Sequence, residues 1–159
     1  MKEIQLTQGM VALVDDQDYE YLNQWRWCAH KDHNTYYATR AIRNGKKTTS
    51  IIMHRIILDV PAGMEVDHID HNGLNNQRSN IRIATHQQNM ANLRPWGKSK
   101  YLGVSFCNSR GYVYIKATVY FNGKNKCLGS FSTEEDAARA YNEFVIKHRG
   151  EYANLNVIP

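Results

Sequence analysis

The chain has 159 residues, room for one ordinary domain or two small ones. No apolar run approaches the roughly 20 residues of a membrane span, and nothing at the start reads as a signal peptide. Cys28, Cys107 and Cys127 are too few and too scattered for a disulfide framework or a cysteine-based zinc site. A soluble cytoplasmic protein is therefore expected, and a formal charge of +5 with a pI near 9.1 is compatible with a polyanionic partner.

In chain order, apolar and polar residues first alternate at Ile4-Gln5-Leu6, at 11–14, at 36–40 and from 48 to 58, with a turn at Asn44-Gly45. This predicts a small antiparallel β region whose core holds Tyr19, Tyr21, Trp25 and Trp27. Residues 65–69 and 80–84 predict two further strands around a polar loop at 71–76. Thr85 and Gln88 make a capping box that starts a helix near residue 86 and places Asn89 in its first turns. Pro95 and Gly97 break any helix in a basic linker at 93–99. Its composition favours a plain tether over an arm laid, with Trp96, along a groove.

The last third predicts strands at about 101–107, 112–121 and 125–131, the last two joined by the hairpin signal Asn122-Gly123. A second capping box, Ser132 to Glu135, opens a helix whose Ala137, Ala138, Tyr141, Phe144 and Val145 share one face, and Gly150 ends it. The expected class is α+β: residues 1–92 form a β-rich region plus a strand-loop-strand-helix module, 93–99 a linker and 100–159 a β-β-β-α unit.

Charge is distributed unevenly. Residues 71–133 contain no Asp or Glu but nine Lys or Arg: Arg78, Arg82, Arg94, Lys98, Lys100, Arg110, Lys116, Lys124 and Lys126. A solvated face accounts for many such runs. A 63-residue stretch without carboxylates suits a surface that meets phosphates.

The module at 64–93 carries the residues that phosphodiester hydrolysis requires. His68, with a side-chain pKa near neutrality, is suited to take a proton from water. Asp67 is a hard oxygen ligand on the opposite face of the same strand, and Asn89 offers a second oxygen. One carboxylate and one amide make a sparse cage, which suits Mg²⁺ (or Mn²⁺) with water and phosphate completing the shell. Singly, each residue is more often surface polarity or a turn former.

Together, Asp67-His68, Asn80 and Asn89, with MHRIIL upstream and VDHIDHNGLNNQRSNIRIATHQQN through the site, resemble the HNH homing endonucleases of phages and mobile introns over residues 52–92. The resemblance implies a ββα-metal fold, His68 as general base, and Asp67 with Asn89 on one divalent ion. It also implies that Asn80 tethers the loop and orients the histidine. Arg78 and Arg82 are candidate phosphate clamps. His71 and His86 are open between phosphate contact, solvent and, less favoured, metal binding. His54 stands where the family often has His, with packing or a hydrogen bond as its expected role.

In the strand 112–121, Ile115, Ala117, Val119 and Phe121 alternate with Tyr114, Lys116, Thr118 and Tyr120, the second set cationic, hydroxylated and aromatic. YLGVSF and the run from Ile115 to Asn156 resemble the AP2/ERF DNA-binding domain over residues 100–157. That implies a sheet face on double-stranded DNA. Across the whole chain the expected DNA contacts are Arg78, Arg82, Lys98, Lys100, Arg110, Tyr114, Lys116, Thr118, Tyr120 and Lys126. Plant members carry Arg and Trp on the groove-facing surface, where this chain has Leu102, Ser105, Cys107 and Cys127. The reading is a sequence-targeted, metal-dependent endonuclease, monomer or homodimer. The alternative is a DNA-binding regulator with an inert HNH module.

Overall fold

The computed structural model describes every residue except Leu93, Trp96 and Arg110. The linker tryptophan and the expected DNA contact Arg110 thus lie outside the described residues. The chain forms two compact units, Met1–Asn89 and Met90–Pro159.

The first unit contains three small antiparallel sheets. One pairs β1 (Lys2–Gln5) with β2 (Val11–Val14), and a second is ordered β3 (Cys28–Asp32), β4 (Thr35–Asn44), β5 (Lys47–Ile52). The third pairs β6 (Glu65–His68) with β7 (Ile81–Ala84) and is followed by α3 (His86–Asn89). Thr85 caps α3 as expected: Gln88 N–H donates to Thr85 Oγ1 and the Gln88 carbonyl Oε1 accepts from Thr85 N–H.

Two helices interrupt the β region that alternation predicted. In α1 (Asp16–Leu22), Asp16 and Asp18 sit in the first turn, where the helix dipole favours anions. In α2 (Met53–Leu58), Met53, His54 and Ile57 are buried at helical spacing, a pattern that a short apolar run does not distinguish from a strand. The core gathers Ile4, Val14, Leu22, Trp27, Met53 and Ile81. Trp27 is fully enclosed, Tyr19 and Trp25 only partly, and Tyr21 is 54% exposed, so Tyr21 is not a core residue. It instead meets the Trp25 ring edge-on at 4.7 Å.

These sheets also hold the polar loop between β6 and β7. Leu13 of β2 donates its N–H to the Leu74 carbonyl and accepts from Asn76 N–H, both at 2.8 Å, adding the loop to the strand as a short parallel bridge. Gly73 N–H donates to Thr35 Oγ1 at 2.9 Å. The loop lies so close to β4 that a Cβ on Gly73 would stand 2.5 Å from the Tyr36 carbonyl oxygen and 2.6 Å from the Tyr37 ring.

The second unit is a sheet ordered β10 (Lys124–Phe131), β9 (Tyr112–Phe121), β8 (Val104–Ser109), with α4 (Glu134–Arg149) on one face. Ala117 and Val119 of β9 are buried with Ala137, Ala138, Tyr141 and Val145 of α4, and the alanines allow close approach. The helix cap is Thr133, one residue later than expected: its Oγ1 accepts from Asp136 N–H, and its hydroxyl donates to the Asp136 carboxylate. β8 starts three residues late because Tyr101 and Leu102 turn into the core ahead of Gly103, which has φ 71°. Leu102 is 5% exposed, its backbone held by the Asn156 side chain, so it does not belong to an exposed sheet face.

Gly73→Ala should force the loop off β4 and cost roughly 1–3 kcal/mol, read as a lowered urea midpoint with an unchanged slope. An unchanged midpoint would show that the loop is not seated as described.

Candidate active site

Antiparallel register sets Asp67 opposite Arg82 and His68 opposite Ile81, and Asp67, His68 and Asn80 are all buried. Asn80 closes the loop on itself. Its Nδ2 donates to Asp70 Oδ1 at 2.9 Å and to the Asn75 carbonyl at 2.8 Å. Its Oδ1 accepts from Asp70 N–H, and its carbonyl accepts from Ile69 N–H. One carboxamide thus links the exit of β6, the middle of the loop and the entry to β7. Burial pushes the Asp70 carboxyl up, but bonds from Asn72 N–H, Asn75 and Asn80 outweigh it and hold the group below the usual carboxylate range.

His68 sits at the inner wall of this loop. Its Nε2 is 3.4 Å from Oδ1 of Asn76, which is 1% exposed and keeps its own Nδ2 on the Leu74 carbonyl. The His54 and Tyr37 rings stand 5.0 and 5.7 Å from the His68 ring. Burial lowers the His68 pKa against the opposing pull of Asn76, Asp70 and Asp67. The imidazole is therefore neutral at neutral pH and able to accept a proton. His54 is pushed down to about 3, by burial first and then by His68 and Arg55, and its Nδ1 has no hydrogen-bond partner. His54 is a neutral ring that packs as a wall against His68.

Asp67 Oδ2 accepts from Arg82 Nε and Nη2 at 2.8 and 2.7 Å. Arg82, expected as a phosphate clamp, is thus engaged with the carboxylate it faces. Arg78 is similarly engaged: Nε and Nη2 grip the two oxygens of Asp18 at 2.9 and 2.8 Å, and its N–H donates to Asp15. Neither arginine presents an uncommitted charge to phosphate.

Asn89 comes back to β6 from α3. Its Nδ2 donates to Glu65 Oε2 at 2.7 Å, and His86 Nδ1 lies 2.8 Å from Glu65 Oε1. These two bonds, that of Asn89 first, hold the Glu65 carboxyl below its usual range. Strand alternation puts Glu65 and Asp67 on one face of β6, about 7 Å apart along the strand. Among the described residues no three His, Cys, Asp or Glu side chains cluster as a metal cage. The hard oxygen donors that could hold a cation here are the Asp67 carboxylate and the Asn89 amide oxygen, and water and substrate would have to complete the shell. A cavity of about 410 Å³ is lined in part by Tyr37, His54, Arg55, Glu65, Val66 and Asn89, while Asp67 and His68 are not among its lining residues.

In the second unit, Tyr114, Lys116, Thr118 and Tyr120 lie on the β9 face opposite α4, with Ser105 and Ser130 flanking Lys116 across the strands. Lys126 does not join them. It pairs with Val119 on the helix side, with its ammonium 4.9 Å from the Phe144 ring. Lys98 is exposed, and the Lys100 ammonium lies 4.9 Å over the Tyr101 ring.

The sequence reading passed over Glu65, Tyr37 and Asn76. An acidic residue two positions before Asp67 on a strand was the available signal for Glu65. Asn76 was hidden in an Asn-rich run that reads as turn chemistry.

A family model described as HNH endonuclease matches residues 59–91, the segment that contains β6, the loop, β7 and α3. An HNH endonuclease of Acanthamoeba polyphaga mimivirus is 33% identical over 152 residues, covering 94% of this chain and 76% of that relative. No solved structure matches the chain. The similarity extends well beyond the strand-loop-strand-helix site into both units, and on that ground the chain belongs to the HNH endonuclease family and is a nuclease.

Proposed function

We propose that the chain is a sequence-targeted, homing-type endonuclease that hydrolyses phosphodiester bonds of double-stranded DNA with one divalent ion, Mg²⁺ or Mn²⁺, per site. The observation that carries this reading is a buried, neutral His68 beside a buried Asp67, both fixed by a loop that Asn80 closes.

In this reading His68 removes a proton from water as the water oxygen attacks phosphorus. The phosphorus–oxygen bond to the leaving strand breaks, and its oxygen leaves as an alkoxide that solvent protonates. Asp67 and Asn89 would hold the ion, which when bound would supply positive charge against that developing on the phosphate. Asn80 keeps the His68 backbone in place, and Asn76 faces Nε2, so that Nδ1 is the nitrogen that takes the proton. Arg82 balances Asp67 within the protein.

Positioning falls to the second unit, as an AP2/ERF-like module that presents Tyr114, Lys116, Thr118 and Tyr120 to the duplex, with Lys98 and Lys100 on phosphates. The described residues include no helix long and apolar enough to cross a membrane.

His68→Ala should reduce nicking of plasmid DNA in Mg²⁺ or Mn²⁺ by about 10²–10⁴-fold while a gel-shift assay shows DNA binding largely retained. Equal cutting by the variant would leave only a DNA-binding regulator. Since burial lowers the His68 pKa, base competence is retained below the ordinary histidine value of 6.5 and lost only as pH falls further. A cleavage profile at saturating ion whose acid limb lies above 6.5 would contradict this. Lys116→Ala should weaken binding and flatten the log–log salt dependence by about 0.9, one phosphate contact. An unaltered slope places Lys116 off the interface.

A further inference from the structure

We propose that Glu65 is the positioning residue for the cation site: it fixes the Asn89 carboxamide so that Oδ1, and not Nδ2, faces the metal. The inference rests on the reading of Asp67 and Asn89 as the groups that hold the ion.

A carboxamide has one arm that accepts and one that only donates, and nearly equal shapes let it bind either way round. A cation tolerates only the oxygen. An Asn ligand whose flip is not controlled therefore spends part of its time with the wrong arm forward. Glu65 removes that freedom. An ionised carboxylate accepts and does not donate, so the arm of Asn89 that meets Glu65 Oε2 at 2.7 Å has to be Nδ2. Oδ1 is then on the other arm by covalent geometry.

Glu65 is itself steadied, because its second oxygen lies 2.8 Å from His86 Nδ1 at the start of the helix that carries Asn89. A pair of contacts thus runs from one strand residue to both ends of α3. Because Glu65 and Asp67 share a face of β6, the helix is fastened on the side where the carboxylate stands. Partners that orient a ligand in this way typically change metal affinity by about 10–100-fold when removed.

The test uses the full chain and Mn²⁺ alone, with free Mn²⁺ followed by electron paramagnetic resonance. Glu65→Ala should weaken Mn²⁺ binding about 10–100-fold. Glu65→Gln, whose amide can meet either arm of Asn89, keeps a hydrogen bond but no longer dictates the orientation, and should lose affinity by less than Glu65→Ala does. Adding Glu65→Ala to Asn89→Ala should cause no further loss, because the effect runs through Asn89. Parent-like affinity in Glu65→Ala overturns the proposal. So does an added loss on the Asn89→Ala background, or equal losses in Glu65→Ala and Glu65→Gln, either of which makes the carboxylate a ligand in its own right.

Undiminished Mn²⁺ binding by Asn89→Ala alone would instead remove the cation site on which the proposal stands. A readout independent of variant folding is the Asn89 side-chain NH₂ resonance of the parent protein. A downfield position under a charged acceptor supports the bond to Glu65, and a position typical of solvated Asn side chains overturns it.

Discussion

A single buried carboxamide sets the geometry of this nuclease. Asn80 donates to Asp70 and to the Asn75 carbonyl and accepts from Asp70 N–H, so three points of one loop are held by one side chain. Hydrogen bonds of this kind each contribute about 1 kcal/mol net, but a buried group left unpaired costs more. The loop therefore has one low-energy arrangement, and His68 at its entry inherits that arrangement. The same enclosure lowers the histidine pKa, so the scaffold that positions His68 also favours its neutral form.

The two arginines nearest the loop, Arg78 and Arg82, are paired internally rather than displayed. Asp67 is 2% exposed and sits against Arg82; separating such a buried pair by loss of one partner costs on the order of 3–5 kcal/mol. Arg78 is matched by Asp18 and by the Asp15 carboxylate. The excess positive charge of the carboxylate-free stretch is left to the second unit, where Lys116 stands on the sheet face away from α4. The two units thus differ in charge through where the carboxylates fall in the chain.

Legibility followed the strength of local signals. β6, β7 and α3 were readable because alternation of apolar residues and a Thr-to-Gln capping pair each specify a backbone geometry unaided. The Ala137, Ala138, Tyr141 and Val145 stripe of α4 was readable for the same reason. Residues 53–58 were not, since six residues of mixed burial satisfy helix and strand alike until a core exists to choose. Lys126 and Leu102 were misjudged through pairing: a hairpin register and a turn before β8 decide which face a residue takes, and neither is written in composition. Within the site, residue types and spacing marked Asp67, His68, Asn80 and Asn89, but the bonds of Glu65, Arg82 and Asn76 depend on distances between strands that sequence does not express.

The bridge from Leu13 to the loop carries an implication for how small this catalytic module can be made. The segment bearing the family signature begins at residue 59, yet two of its backbone groups are satisfied by residue 13, and Gly73 N–H by Thr35. An excised 59–91 peptide, or a graft of it into a foreign scaffold, would leave those amides and carbonyl to solvent and strip the wall against which His68 packs. The portable unit is the whole of Met1–Asn89, because the part that carries the signature is not by itself the part that folds.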